Sequence, residues 1–127
     1  MQGSRADLAF EMIDMSTKLK SGTVTNLSRA AKTIKRLKDF KSTLRFPALN
    51  LTSLNIVTFI DASLGNPNEG VRSTQGVIIW IMDKQGKCCP LLWQANKIRV
   101  VRSTLAAEAL SLQEGLEGRI YYRHMLE

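Results

Sequence analysis

The chain has 127 residues, about one domain's worth of length, with 44% apolar and 23% charged residues as in an ordinary globular protein. Its longest apolar run, Val77 to Met82, is far short of the roughly 20 residues a membrane-spanning helix needs, so no membrane partner is expected. The net charge of +7 is concentrated: residues 16 to 45 carry nine Lys and Arg side chains against one acid, Asp39.

A block this one-sided is the electrostatic signature of a polyanion partner, although a solvated lysine-rich helix face gives the same count. The N-terminus lacks the basic-then-apolar plan of a signal peptide. Cys88 and Cys89 are adjacent inside an apolar stretch, a poor disulfide pair with no metal-ligand spacing. They read as two buried thiols in a reducing compartment, and an intracellular location, cytoplasmic or nuclear, is expected. With His124 the only histidine, a zinc site and a Ser-His-Asp triad are both disfavoured.

In chain order, residues 4 to 40 read as two helices. Ser4 is a capping candidate, with Asp7 three residues on, and Leu8, Met12, Met15 and Leu19 recur at helical spacing. Ser21-Gly22 marks the stop, and Thr25 or Asn26 opens the second helix. There Leu27, Ala30, Ala31, Ile34 and Leu37 form the stripe expected to pack. Arg29, Lys32 and Arg36 are expected on the other side, and with Lys35 and Lys38 they are the candidate phosphate contacts. Residues 41 to 53, with Pro47, read as a connector.

Strand patterns follow. Leu54 to Ile60 is rich in β-branched and aromatic residues and closes at Asp61. Residues 65 to 70 form a dense turn cluster, Gly76 to Met82 reads as a second strand, and Lys87 to Trp93 returns antiparallel after a turn at 83 to 86. So apolar a hairpin is expected to be covered on both faces. From Thr104 the pattern is helical, capped by Ser103 or Thr104. Leu105, Ala109, Leu112, Leu116 and Ile120 form a continuous stripe expected to face the sheet, with Glu108 on its flank. Asp61 shares a strand face with Val57 and Phe59 and is expected on the sheet's packed side. An acid closing a strand and another opening its packing helix suit a hard cation such as Mg²⁺, which takes oxygen ligands. A turn Asp and a dipole-stabilised Glu are the plainer reading.

The pieces Phe59-Ile60-Asp61-Ala62-Ser63, Arg72-Ser73-Thr74-Gln75-Gly76, Trp93 and Ser103-Thr104-Leu105-Ala106-Ala107-Glu108-Ala109 keep a familiar order. They resemble the ribonuclease H domain of copia-type LTR retrotransposons. Upstream, Ser4 to Ala9 and Ala30 to Lys38 are similar to the segment joining reverse transcriptase to that domain. The resemblance implies an incomplete ribonuclease H-like fold of the α/β (α+β) class: two helices, three antiparallel strands and a packing helix. Residues 1-50 would be a basic helical connection segment and 51-127 the N-terminal part of the ribonuclease H-like domain. It further implies Asp61 and Glu108 as catalytic metal ligands, Mg²⁺ as cofactor, an RNA–DNA hybrid as partner, and the remainder of a polyprotein around the segment.

The chain departs from the family pattern. Ser63 replaces an aspartate common there, Leu105 or Ala106 replaces the first helix-start acid, and the third and fourth aspartates are missing by Glu127. The strand expected to flank the first is missing with them, which leaves an unpaired edge. The implied activity, hydrolysis of the RNA strand of a hybrid, is therefore expected to be weak or absent in this piece. A non-catalytic basic nucleic-acid-binding module, or a degenerate transposon remnant, is the competing expectation.

Overall fold

The computed structural model describes residues 5–18, 20, 22–41, 43–65, 72–98 and 101–127. They form two compact units, the first ending at Leu44 and the second beginning at Arg45.

In the first unit a short 3-10 turn, Ala6–Leu8, leads into helix α1 (Ala9–Thr17), and helix α2 covers Val24–Asp39. The start of α2, at Val24, lies one or two residues earlier than the Thr25 or Asn26 of the sequence reading. Thr23, in extended conformation, accepts a hydrogen bond from the Asn26 amide at 3.3 Å and is the cap. The proposed cap Ser4, the stripe residue Leu19 and the stop residue Ser21 lie outside the described residues. Asp7, read as part of a capping box, instead accepts two hydrogen bonds from Arg5, each 2.8 Å.

The packing of α2 differs from the expectation. Its buried residue is Thr33, with Asn26 and Ala30 half-buried, while Leu27 is 72% and Ile34 53% exposed. Polar pairing accounts for the rotation. Arg29 meets Asp14 at 2.7 Å and Arg36 meets Glu11 at 3.1 Å, so the side of α2 bearing these arginines faces α1. Among the described residues Leu8 is the buried apolar anchor of this unit, whereas Met12 is 51% exposed.

The second unit is a three-stranded antiparallel sheet, β1 (Leu54–Ser63), β2 (Thr74–Asp83) and β3 (Cys88–Lys97), followed by helix α3 (Thr104–Leu126). The strand order is β1-β2-β3, with Leu54 opposite Asp83 and Ser63 opposite Thr74. This is the α+β layout expected from the hydrophobic periods. The pairing of β2 with β3 shifts register between Ile79 and Trp80 of β2, passing over Leu91 of β3 and bringing Pro90 opposite Trp80. A proline has no amide to donate, so it suits an edge strand at an irregularity. Ser103 caps α3, its hydroxyl accepting from the Ala106 amide at 3.2 Å.

The β2–β3 turn is organised by Asp83, which is 2% exposed. Its carboxylate accepts from the amides of Gln85 at 2.9 Å, Lys87 at 3.0 Å and Asn50 at 3.2 Å. Gly86 completes the turn at φ +81°, a conformation costly for any side chain with a Cβ. Asn50 thereby ties the connector to the end of the sheet.

Helix α3 covers one face of the sheet. Val77, Ile79 and Leu92 form the core, with Ile56, Ile60, Leu91 and Tyr122 packed against it. The opposite face is open, contrary to the expectation of cover on both sides: Phe59 is 61% and Ile78 41% exposed. The helix is also turned roughly half a revolution from the sequence reading. Its buried residues are Ala107, Ser111 and Gly115, whereas Leu105, Leu112, Leu116 and Ile120 are between 47% and 80% exposed. Small side chains let the helix axis approach the strands closely. A Cβ on Gly115 would lie 2.5 Å from Ile60 Cγ2, and one on Gly118 would lie 2.8 Å from Ile79 Cδ1.

Candidate metal centre

Asp61 is the eighth residue of β1, paired across the ladder with Gly76, and is exposed. Its carbonyl accepts a hydrogen bond from the buried Ser111 hydroxyl at 3.2 Å. Glu108, half-buried, lies three residues before Ser111 on α3, close to one helical turn. The two carboxyl-bearing residues thus belong to the same end of the contact between β1 and α3. Sequence reasoning did not single out Ser111. Its signal lies in the small-residue series Ala107, Ser111 and Gly115, spaced four apart on one helical face.

The side chains do not issue toward each other as expected. Successive strand residues alternate between faces. Thr58 and Ile60 meet α3 at Gly115, so Asp61 shares the open face with Val57 and the exposed Phe59. The error came from the apolar character of Val57 and Phe59, which suggested a packed face where the structure has an open one. Among the described residues, no three His, Cys, Asp or Glu side chains converge. Two carboxylates supply at most four of the roughly six oxygens Mg²⁺ takes. The pair present does not fit a two-ion centre.

Of the basic candidates, Arg29 and Arg36 are engaged with Asp14 and Glu11. Lys32, Lys35 and Lys38 are exposed on α2, and at three-residue spacing they form one ridge winding slowly round the helix. Among the described residues, the ion pairs made by this helix are those of Arg29 and Arg36. Cys89 is buried and Cys88 half-buried, both as free thiols. No helix is long and apolar enough to cross a membrane among the described residues. Comparison with protein-family models, curated proteins and solved structures finds no match to this chain.

Proposed function

We propose that the chain is a ribonuclease H-like segment of a retrotransposon-type polyprotein, preceded by a basic connection region that holds an RNA–DNA hybrid by its phosphates. The observation that carries this reading is the joint position of Asp61, eighth of the ten residues of β1, and Glu108, fifth residue of α3, at one end of a three-stranded antiparallel sheet and its packing helix; the sequence reading places them at the strand's end and in the helix's first turn. Neither a turn nor a helix dipole requires both acids at that junction. In a complete site of that kind Asp61 and Glu108 would be two of the carboxylates holding Mg²⁺, which would supply the charge stabilisation for phosphodiester hydrolysis. With two carboxylates that issue on different faces of the sheet, the chain is expected to hold one Mg²⁺ weakly at best and not to cleave a hybrid appreciably on its own. An intracellular setting, cytoplasmic or nuclear, belongs to this reading.

Binding by a basic module without catalysis is the second reading, and the exposed Lys32–Lys35–Lys38 ridge favours it. Both readings predict hybrid binding governed by counterion release. With three phosphate contacts, affinity should fall roughly 20- to 40-fold between 50 and 200 mM salt. Replacing Lys32, Lys35 and Lys38 by Glu should abolish binding in a fluorescence-anisotropy titration. Arg29→Glu and Arg36→Glu should act mainly by loosening the α1–α2 pair, seen as a lower melting temperature. Salt-insensitive binding, or binding indifferent to the triple lysine change, overturns the assignment of this ridge.

A further inference from the structure

We propose that the cleft between α3 and the β2–β3 side of the sheet binds a guanidinium group, of the kind an arginine side chain carries. The cleft has a volume of about 560 Å³ and is walled by the strand residues around Gln75 and by the flank of α3 bearing Leu110, Glu114 and Glu117. In the β1-β2-β3 order it lies beside β3, across the sheet from the outer edge of β1. A strand added at that edge does not reach it.

Gln75 points to a ligand. It alternates with Val77 and Ile79 along β2, so its side chain stands on the face that α3 covers. The residue is 6% exposed, and its side-chain carbonyl oxygen Oε1 is buried without a hydrogen-bond partner. An apolar residue at this position would extend the core at no such cost, whereas a buried amide oxygen left unpaired is expensive and calls for a donor. The terminal amide turns about χ3, a broad torsion, and so presents the oxygen to the cleft that the residue lines.

The carboxylates beside it select a cation. Glu114 accepts from Gln94 at 3.1 Å and Glu117 accepts from Gln113 at 2.8 Å. Each bond orients its carboxylate through one oxygen and leaves the other as an acceptor for a ligand. Three acceptors on three residues match a guanidinium, whose planar fork presents five donors. An ammonium is a compact, strongly hydrated point charge, costlier to strip of water for the same contacts. Leu110 and Ile98, the latter 9% exposed, supply apolar surface for the methylenes of an arginine. The Ile98 amide donates to the Ser73 carbonyl at 3.0 Å, which holds that end of the cleft to the sheet. Lys97, exposed on the same cleft, suits the carboxylate that free arginine carries and a peptide-internal arginine lacks.

The test is a titration of the ¹⁵N-labelled full chain, in EDTA, with N-acetyl-L-arginine amide, L-arginine and N-acetyl-L-lysine amide, read by amide shifts. Both arginine probes should give saturable shifts centred on residues 75, 96–98 and 110–117. The lysine probe should bind about tenfold more weakly, and Glu114→Gln and Glu117→Gln should each weaken the arginine probes by about tenfold. Gln75→Leu should weaken them similarly while leaving the melting temperature equal or higher, a combination that a merely structural glutamine does not give. Tighter binding of L-arginine than of its amide, with the advantage lost in Lys97→Gln, identifies the free amino acid as the ligand. Equal or weaker binding identifies an arginine within a peptide. Absence of saturable shifts, an equal response to the lysine probe, or binding unchanged by Gln75→Leu and Glu114→Gln overturns the proposal.

Discussion

Gly115→Leu should destabilise the second unit by about 3 kcal/mol or more, seen as a lower denaturant midpoint. Overpacked cores typically lose about 1–3 kcal/mol, and here an entire side chain enters a contact in which even a Cβ meets Ile60 Cγ2 at 2.5 Å and Thr58 Cγ2 at 3.2 Å. Both neighbours are β-branched and stiff at χ1, so neither methyl swings away cheaply. Gly115→Ala is the sharper comparison. Helix propensity favours alanine by about 1 kcal/mol, yet the clash should outweigh it and leave a net loss. At Gly118 the balance reverses. The nearest atom, Ile79 Cδ1 at 2.8 Å, is the far end of a flexible side chain, so Gly118→Ala should be neutral or stabilising. Equal behaviour of the two alanine variants would contradict the close helix–sheet approach.

The second large effect concerns Asp83. Burial, the strongest influence, pushes its carboxyl pKa upward, but the amides of Asn50, Lys87 and Gln85 and the charge of Lys87 together outweigh it. The net shift is downward, so the ionised form is favoured in the folded state. Its contribution is fully present above the unfolded pKa, about 3.9, and is lost as pH falls through the lower folded value. Asp83→Asn should therefore be less stable than the parent at pH 7. The gap should close as the pH falls below about 4, where the parent's own carboxylate becomes protonated. A gap independent of pH would mean that the charge of Asp83 does not hold the turn.

These outcomes bear on what the sequence discloses. The strands were legible because β-branched runs end at strong turn chemistry, and the Asp83-to-Gly86 turn fixes the hairpin register. The existence of α3 was legible from period 3.6 and from Ser103. Its rotation was not. Large apolar residues gave the stronger periodic signal, while the face that packs is made of Ala107, Ser111, Gly115 and Gly118, whose contribution is absence of bulk. A hydrophobic stripe reports what must be covered, not which neighbour covers it. The same limit misplaced Asp61. Alternation along β1 put it correctly with Val57 and Phe59, but apolar content alone did not reveal that their face is open. In α2, the arginines paired with Asp14 and Glu11 overrode an apolar stripe that periodicity made look inward.

The central claim is that Asp61 and Glu108, at the same end of the contact between β1 and α3 though issuing on different faces of the sheet, are the groups that draw a cation to that junction. Paramagnetic Mn²⁺, titrated into the ¹⁵N-labelled chain in place of Mg²⁺, reads this directly through line broadening of nearby amides. The account predicts weak, saturable broadening centred on residues 60–63 and 106–111, displaced by Mg²⁺ and lost in Asp61→Asn and in Glu108→Gln. Broadening centred elsewhere, or unchanged when either carboxylate is removed, would contradict it.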